Sequence, residues 1–365
     1  MHILYIGWAH HVHLRRWAEY FAKLGHKITI LSRSANADPL PGVRIIPLLS
    51  LKKRKIIQEI EVAFWVRLLR PDICHVHWAR FAPLLTKVRD IPYGITVWGS
   101  DIYNLEKCSP DLVSGIKTSM NKTAFITCDS NDLKREIKRI ARIPTEKIHL
   151  IQWGVNTSLF RPISNNQALK RQFGLPSDSK VLLSIRNISP LYQTEIIFEA
   201  FAKLLKRVDN LILIQKHYHA DESRLRYLKK KAESEGIIHN LKWIGNIRYE
   251  DLPKLYNIAE LVISIPISDG TPMSLLEAMA CGIPVVAADL PSIREWIVHK
   301  KNGILVDEVS PEKLYDAICE LLEKPDLTEK IGKANIELIL QKANQTLHMM
   351  QMQKIYKANA IRANR

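Results

Sequence analysis

The sequence predicts an α/β protein made of two doubly wound domains, each a parallel sheet covered by helices on both faces. Three observations lead there. Short apolar strands alternate with helix-period segments over most of the chain, the rhythm of repeated β-α units. The pattern starts afresh near residue 180. A length of 365 residues also fits two or three domains at roughly 100–200 residues each.

The elements follow in order. His2–Gly7 is an apolar strand ending in glycine, and a loop with His10, His11 and His13 comes next. Leu14, Trp17, Ala18, Phe21 and Leu24 recur at helix spacing, Gly25 closes that helix, and Lys27–Ser32 reads as the following strand. Further strands are expected at Asp72–Trp78, Gly94–Trp98 and Ala124–Cys128. Asn156–Ser179, with Pro162, Asn165, Asn166, Pro176 and Ser177, is the most loop-like stretch. It sets the expected domains at residues 1–163 and 164–343. In the second half, Val181–Ile185, Leu211–Lys216, Leu241–Ile244, Leu261–Ile265 and Val285–Ala288 are strands. Glu195–Arg207 and Glu222–Glu235 are helices. Residues 344–365, with Met349, Met350, Met352, Ile355 and Tyr356, form a terminal helix whose methionines are expected to pack in core, back on the first domain. Ligands in such sheets bind at the carboxyl ends of the strands, here expected to face a cleft between the domains.

Composition narrows the function. With 47% hydrophobic and 25% charged residues, disorder and collagen-like structure are excluded. No apolar run approaches the ~18 residues of a membrane helix. The N-terminus lacks a basic segment before its apolar stretch, so no cleaved leader is expected. Cys74, Cys108, Cys128, Cys281 and Cys319 show no paired spacing, which argues against a zinc site or disulfide framework and suits a cytoplasmic protein. The 53 basic and 37 acidic residues give +16. Residues 1–165 hold 25 against 13, or +12, and residues 166–365 hold 28 against 24, or +4. The excess is clustered at Lys52, Lys53, Arg54 and Lys55, and at Lys134, Arg135, Lys138, Arg139 and Arg142. A basic balance admits nucleic acid, anionic membranes or phosphorylated ligands, but no nucleic-acid-binding motif accompanies it.

G-x-G-x-x-G after a strand, G-x-x-x-x-G-K-[ST], H-E-x-x-H and G-x-S-x-G are all absent, which weakens dehydrogenase, ATPase, metalloprotease and lipase readings together. The informative stretch is 261–287: a buried strand, a polar loop, a short helix and another buried strand. Thr271 is the expected N-cap and Pro272 the first helical residue. Backbone N–H groups of Met273, Ser274 and Leu275 would then lie free at a helix N-terminus, a site suited to phosphate. Asp269 and Glu277 flank it, and carboxylates accept hydrogen bonds from hydroxyls. A diphosphate between hydroxyl-rich sugars fits that arrangement.

At these residues the chain resembles the retaining, nucleotide-sugar-dependent glycosyltransferases of family 4, which have the GT-B fold. The signature is two acidic residues separated by seven, then A-M-A-x-G-x-P-V-V; here it is Asp269, Glu277 and Ala278 through Val286. Gly154-Val155-Asn156 through Phe160-Arg161-Pro162, Trp243 through Asn246, and Asn302 through Val306 resemble further family segments. The resemblance implies that Glu277 holds the donor ribose and Asp269 contacts the transferred sugar. Gly270, Thr271 and Pro272 would shape the sugar pocket, and Gly245, Asn246 and Ile247 would read the base. Arg186 would neutralise the diphosphate, so no metal or other cofactor is expected. A uridine diphosphate sugar is favoured on family frequency. The implied acceptor is a glycan or lipid-linked precursor, bound by the basic first domain at an anionic membrane surface, in lipid-linked or cell-surface polysaccharide synthesis.

The chain also departs from the family pattern. Asp269 stands where Glu is common, Leu191 to Thr194 replace a usual Lys-Gly, and Trp98 stands where a His often precedes G-x-D. The alternative reading is therefore a catalytically weakened GT-B protein that holds a sugar nucleotide or a partner. His13 is a candidate catalytic residue, and His10, His11, Trp98 and Asp101 are candidate acceptor contacts. Helix capping competes with function at His11, His13 and Asp101. His75 and His77 share one strand face.

Overall fold

The computed structural model describes residues 1–34, 38–49, 55–218 and 221–361. These form two compact units, 1–153 with the residues from Thr346 onward, and 154–345.

The first unit carries strands β1 (His2–Gly7), β2 (Lys27–Ser32), β3 (Val43–Pro47), β4 (Ile73–His77), β5 (Tyr93–Thr96), β6 (Phe125–Cys128) and β7 (Ile148–Leu150). They pair in parallel in the order β3-β2-β1-β4-β5-β6-β7. β1 and β4 are buried at every position, as strands covered on both faces must be. β3 and β7 were not expected. Both are edge strands of five and three residues, too short to show a period of their own. The helix Val12–Lys23 buries Leu14, Trp17, Ala18 and Phe21. The helix Gln345–Asn359 buries Met349, Met352, Ile355 and Tyr356. Tyr356 Oη lies 2.6 Å from His75 Nδ1, and the Ile361 N–H donates to the Asp72 carbonyl.

The second unit carries β8 (Lys180–Ser184), β9 (Leu211–Lys216), β10 (Leu241–Ile244), β11 (Leu261–Ser264), β12 (Val285–Ala288) and β13 (Ile304–Val306), all parallel, in the order β10-β9-β8-β11-β12-β13. It starts at Gly154, ahead of the boundary the loop composition indicated. The physical reason is local. The Val155 N–H donates to Ala343 O at 2.6 Å, the Gln345 N–H donates to Val155 O, and buried Phe160 packs on Tyr249 and Tyr256. The expected loop also holds a short helix, Asn166–Gln172.

Of the first basic cluster, Lys52, Lys53 and Arg54 lie outside the described residues; Lys55 opens a helix, Lys55–Leu69. In the second cluster Arg135 pairs with Asp132 and Arg139 with Glu136, each at 2.9 Å. All five cysteines are free, and four are buried. Among the described residues no helix is long and apolar enough to cross a membrane.

Candidate active site

The second sheet reverses its order at β8, which has β9 on one side and β11 on the other. Loops that leave the carboxyl ends of two such strands diverge and open a crevice, the place where open α/β sheets bind ligands. The β8 loop delivers Arg186 and a 3-10 turn, Pro190–Tyr192. The β11 loop delivers Asp269 and the helix Met273–Ala280. The loops are tied together: the Gln193 side-chain amide donates to Ile265 O at 2.8 Å, and the Ile267 N–H to Leu191 O at 2.9 Å.

Arg186 sits at the centre. Its Nη2 lies 3.0 Å from Asp269 Oδ2 and donates to Tyr192 Oη at 2.9 Å, while Nη1 donates to Ser274 Oγ at 3.2 Å. The guanidinium lies over the Tyr192 ring, 4.4 Å from its centroid, a cation–π contact. Both members of the ion pair are largely buried, 16% and 15% exposed. Burial opposes both charges. For Arg186, the Asp269 and Tyr192 contacts outweigh burial and the pKa rises further. For Asp269, burial outweighs Arg186 and the Gly270 N–H, and the carboxyl is pushed upward. The cation is therefore secure, and the carboxylate is the member under strain.

Glu277 is buried on the same helix and accepts from Tyr256 Oη at 3.2 Å. Burial, then the charge of Glu277, raises the Tyr256 phenol well above its ordinary value, so it remains a donor. The helix begins one residue later than expected: Pro272 is the N-cap, and Thr271 and Pro272 are buried. The Met273 N–H donates to Thr271 O at 2.9 Å and the Leu275 N–H to Pro272 O at 2.8 Å. Of the three amides expected to be free, only Ser274 lacks a backbone acceptor. The helix start thus offers one free backbone amide, beside the Arg186 and Ser274 side chains, where the sequence indicated three. Gly282, at φ +77°, ends the helix. A Cβ at Gly332 would come within 2.5 Å of Gly282 O, so that glycine lets the helix Pro325–Lys342 close on this turn.

The sequence reading missed Lys216, at the end of β9 beside β8. Burial pulls its ammonium pKa down, against the attraction of Glu277, with Arg186 adding to the fall. Lys216 thus feels the charges of both Glu277 and Arg186 and stands as a second cation on the strand beside β8. Gln215 donates to Arg186 O at 3.1 Å and fixes its backbone. A lysine at a strand end carries no sequence signal until the sheet order is known. Gly245, Asn246 and Ile247 follow β10, and a Cβ at Gly245 would meet the His217 ring at 3.8 Å. His217 is a second residue the sequence reading passed over.

In the first unit the order reverses at β1, flanked by β2 and β4. The loops after β1 and β4 bring Trp8 and Trp78 together at 4.5 Å between ring centroids, with Trp98 6.0 Å from Trp8. All three indoles are partly exposed. Trp78 holds φ +86°, a conformation costly for a side chain of that size and concentrated at functional sites. Arg80 lies over the Trp78 ring at 4.9 Å. His11 caps the helix Val12–Lys23, accepting from the His13 N–H at 3.4 Å, and packs on Trp98 at 4.1 Å. Burial, then the charges of His10 and Arg16, lowers its pKa to about 4. His13 stacks on Trp153 at 4.3 Å, and His10 is exposed, with Nδ1 3.1 Å from Ser34 Oγ.

Asp101 is a correction. It is fully buried, and its carboxylate accepts from the Ala79 N–H at 2.6 Å and the Trp98 N–H at 2.9 Å. It clamps the Trp78 and Trp98 loops rather than meeting an acceptor. Burial still raises its pKa, to about 6, despite those bonds. His77 is completely buried among Tyr5, Trp17 and His75, and neither ring nitrogen has a hydrogen-bond partner among the described residues. No group of three or more His, Cys, Asp or Glu among the described residues is placed to hold a metal ion.

Residues 165–338 match the family model for glycosyl transferases group 1, and residues 11–159 match that for glycosyltransferase family 4. The chain belongs to these glycosyltransferases. A curated relative, the D-inositol 3-phosphate glycosyltransferase of Thermobispora bispora, is 28% identical over 198 residues, covering 53% of this chain. The aligned region spans 46%, about half, of that relative's length. Sucrose-phosphate synthase from Thermosynechococcus elongatus superposes on this glycosyltransferase with a TM-score of 0.86 at 16% identity, covering 98% of both chains. Anabaena HepE in complex with UDP-glucose does so with a TM-score of 0.82 at 17% identity, over 98% of this chain and 100% of that one. The two parallel-sheet units are those of the GT-B fold.

Proposed function

We propose that the protein transfers a sugar from a nucleoside diphosphate sugar, a UDP-sugar in the first instance, to an acceptor hydroxyl with retention of configuration. The observation that carries this reading is the Arg186 cluster, with Asp269, Ser274, Tyr192 and nearby Lys216, at the switch point of the second sheet. The UDP-glucose complex of a protein of the same fold supports the choice of donor.

In this reading the diphosphate takes the place of Ser274 Oγ on Arg186, and Lys216 shares its charge. Glu277, already oriented by Tyr256, accepts from the ribose hydroxyls. Asp269 accepts from the sugar. The C1–oxygen bond to the diphosphate breaks, and the acceptor oxygen bonds to C1 from the same face. Its proton passes to the departing diphosphate oxygen. Two cations that neutralise the leaving group do the work a metal would otherwise do, and their stabilisation grows as its charge develops. The indoles Trp8, Trp78 and Trp98 offer apolar faces to an acceptor sugar, with His11 packed on Trp98. The +12 of residues 1–165 supports an acceptor in an anionic, lipid-linked setting, with the protein held peripherally on a membrane.

UDP-glucose carries an α-linked sugar, so the test is its turnover, with the first-formed anomer read by NMR. Appearance of the α-anomer supports retention; the β-anomer overturns it. Tight binding of UDP with no turnover on any acceptor would favour the sugar-nucleotide binding protein instead.

A further inference from the structure

Seventeen large apolar side chains are exposed in the described structure, and five of them stand on one helix, Lys55–Leu69: Ile56, Ile57, Ile60, Phe64 and Leu68. Single exposed apolar residues are ordinary on any surface. These are not scattered. Ile60, Phe64 and Leu68 follow at four-residue steps, each about 40° further round the helix. They are 56%, 58% and 59% exposed. The opposite face buries Val62 and Val66 in the core of the first unit, so the helix is already docked and carries a second apolar face that stays exposed among the described residues.

Beside that stripe lies a pocket of about 580 Å3 lined by Arg67, Arg70, Lys87 and Arg89, with Asp90 its one acidic residue. All four cations are exposed, and none has an ion-pair partner among the described residues. In the second basic cluster, by contrast, Arg135 and Arg139 are ion-paired. Arg67 lies about 20° from Ile60 around the helix, so the pocket borders the stripe directly. Arg70 ends the helix at φ +45°, a place where glycine is the unstrained choice.

Resting on the reading of peripheral membrane association, we infer that this face is the docking surface for an anionic phospholipid bilayer. Ile60, Phe64 and Leu68 enter the acyl boundary, and a lipid phosphate sits among Arg67, Arg70, Lys87 and Arg89. An apolar ridge rimmed by unpaired cations is the chemistry of a helix lying in a membrane interface. A protein partner buried on the stripe alone would leave the adjoining cations without a role.

The test is sedimentation with vesicles of phosphatidylcholine alone and of phosphatidylcholine mixed with phosphatidylglycerol. Two double variants at exposed positions are compared with the wild type, and all three are checked for equal melting temperature. Ile60→Ser with Phe64→Ser should lower partition onto the mixed vesicles more than about tenfold, as removal of buried apolar area does. Arg67→Gln with Lys87→Gln should lower it about thirtyfold, at about 1 kcal/mol per basic residue, and should leave the weak binding to neutral vesicles unchanged. Wild type that ignores anionic vesicles removes the membrane reading itself. Wild type that sediments together with both variants removes only this surface. A wild-type dimer in solution that Ile60→Ser with Phe64→Ser converts to monomer would overturn the inference by giving the stripe to a second copy.

Discussion

Replacing Asp269 by Asn removes one charge of a pair whose members are about 15% exposed and 3.0 Å apart. Breaking a buried pair from one side costs about 3–5 kcal/mol, because the remaining charge is left uncompensated. Residual exposure and the Tyr192 and Ser274 contacts place this case at the lower end, about 3 kcal/mol. In a domain the size of the second unit that is a fall in melting temperature of roughly 6–12 °C. Arg186→Met should cost less, since its partner can escape by protonation: burial already drives the Asp269 carboxyl upward. The double variant should lose less than the sum of the singles, with a coupling of about 2 kcal/mol. The assay is calorimetric melting of the four proteins with and without UDP. UDP should stabilise Asp269→Asn more than it stabilises the wild type, because the diphosphate meets a guanidinium whose charge no neighbouring carboxylate offsets or opposes. Single variants that melt with the wild type, or costs that simply add, would refute the argument that this pair is a coupled charge site awaiting a third member.

Lys216→Met should weaken UDP binding about tenfold, the value of one charge-assisted hydrogen bond, and leave uridine binding unchanged, as calorimetry with the two ligands will check. Tyr256→Phe removes the donor that orients Glu277; it should weaken UDP several-fold, and Glu277→Ala should do so more strongly. Acid should loosen the first unit. His11 is held near 4 and His75 near 3, chiefly by burial, and His77 is also depressed. Their stability is fully present above pH 6.5 and is lost as pH falls through the window below it, at about 1.4 kcal/mol per pH unit for each histidine that the unfolded chain protonates. Asp101, raised to about 6, acts with opposite sign in the same window and offsets one of the three. Tryptophan fluorescence is the readout, since six of the eight tryptophans lie in the first unit; urea midpoints that do not fall from pH 7 to pH 5 would count against this balance.

Much of the fold could be read from the sequence because buried parallel strands are apolar on both faces. His2–Gly7 and Leu261–Ile265 announce themselves by composition alone. The edge strands Val43–Pro47 and Ile148–Leu150 do not, since one side of each lacks a neighbour and the apolar run is broken. At the site, Asp269 and Glu277 could be placed from the short helix they flank, and Arg186 was singled out by its resemblance to a family position after a strand. Lys216, Tyr256 and Gln215 were not. Lys216 and Gln215 reach the cluster through the pairing of β8 with β9, and Tyr256 through the approach of the helix Leu252–Asn257 to Glu277, neither of which local pattern encodes. Asp101 shows the converse: an acidic residue in a site-like loop, spent on two backbone N–H groups once the loops fold around it. The helix start at Met273 rather than Pro272 has a similar lesson, because one residue decides which amides remain free.

The central claim is that the Arg186 and Glu277 crevice of the second sheet binds a nucleoside diphosphate. Titration calorimetry of the wild-type protein and of Arg186→Met with uridine, guanosine and adenosine diphosphates tests it most directly. The account predicts one site per chain for the matching nucleotide, at least tenfold weaker in Arg186→Met. No binding of any of the three to the wild-type protein, or equal affinity for wild type and variant, would contradict it.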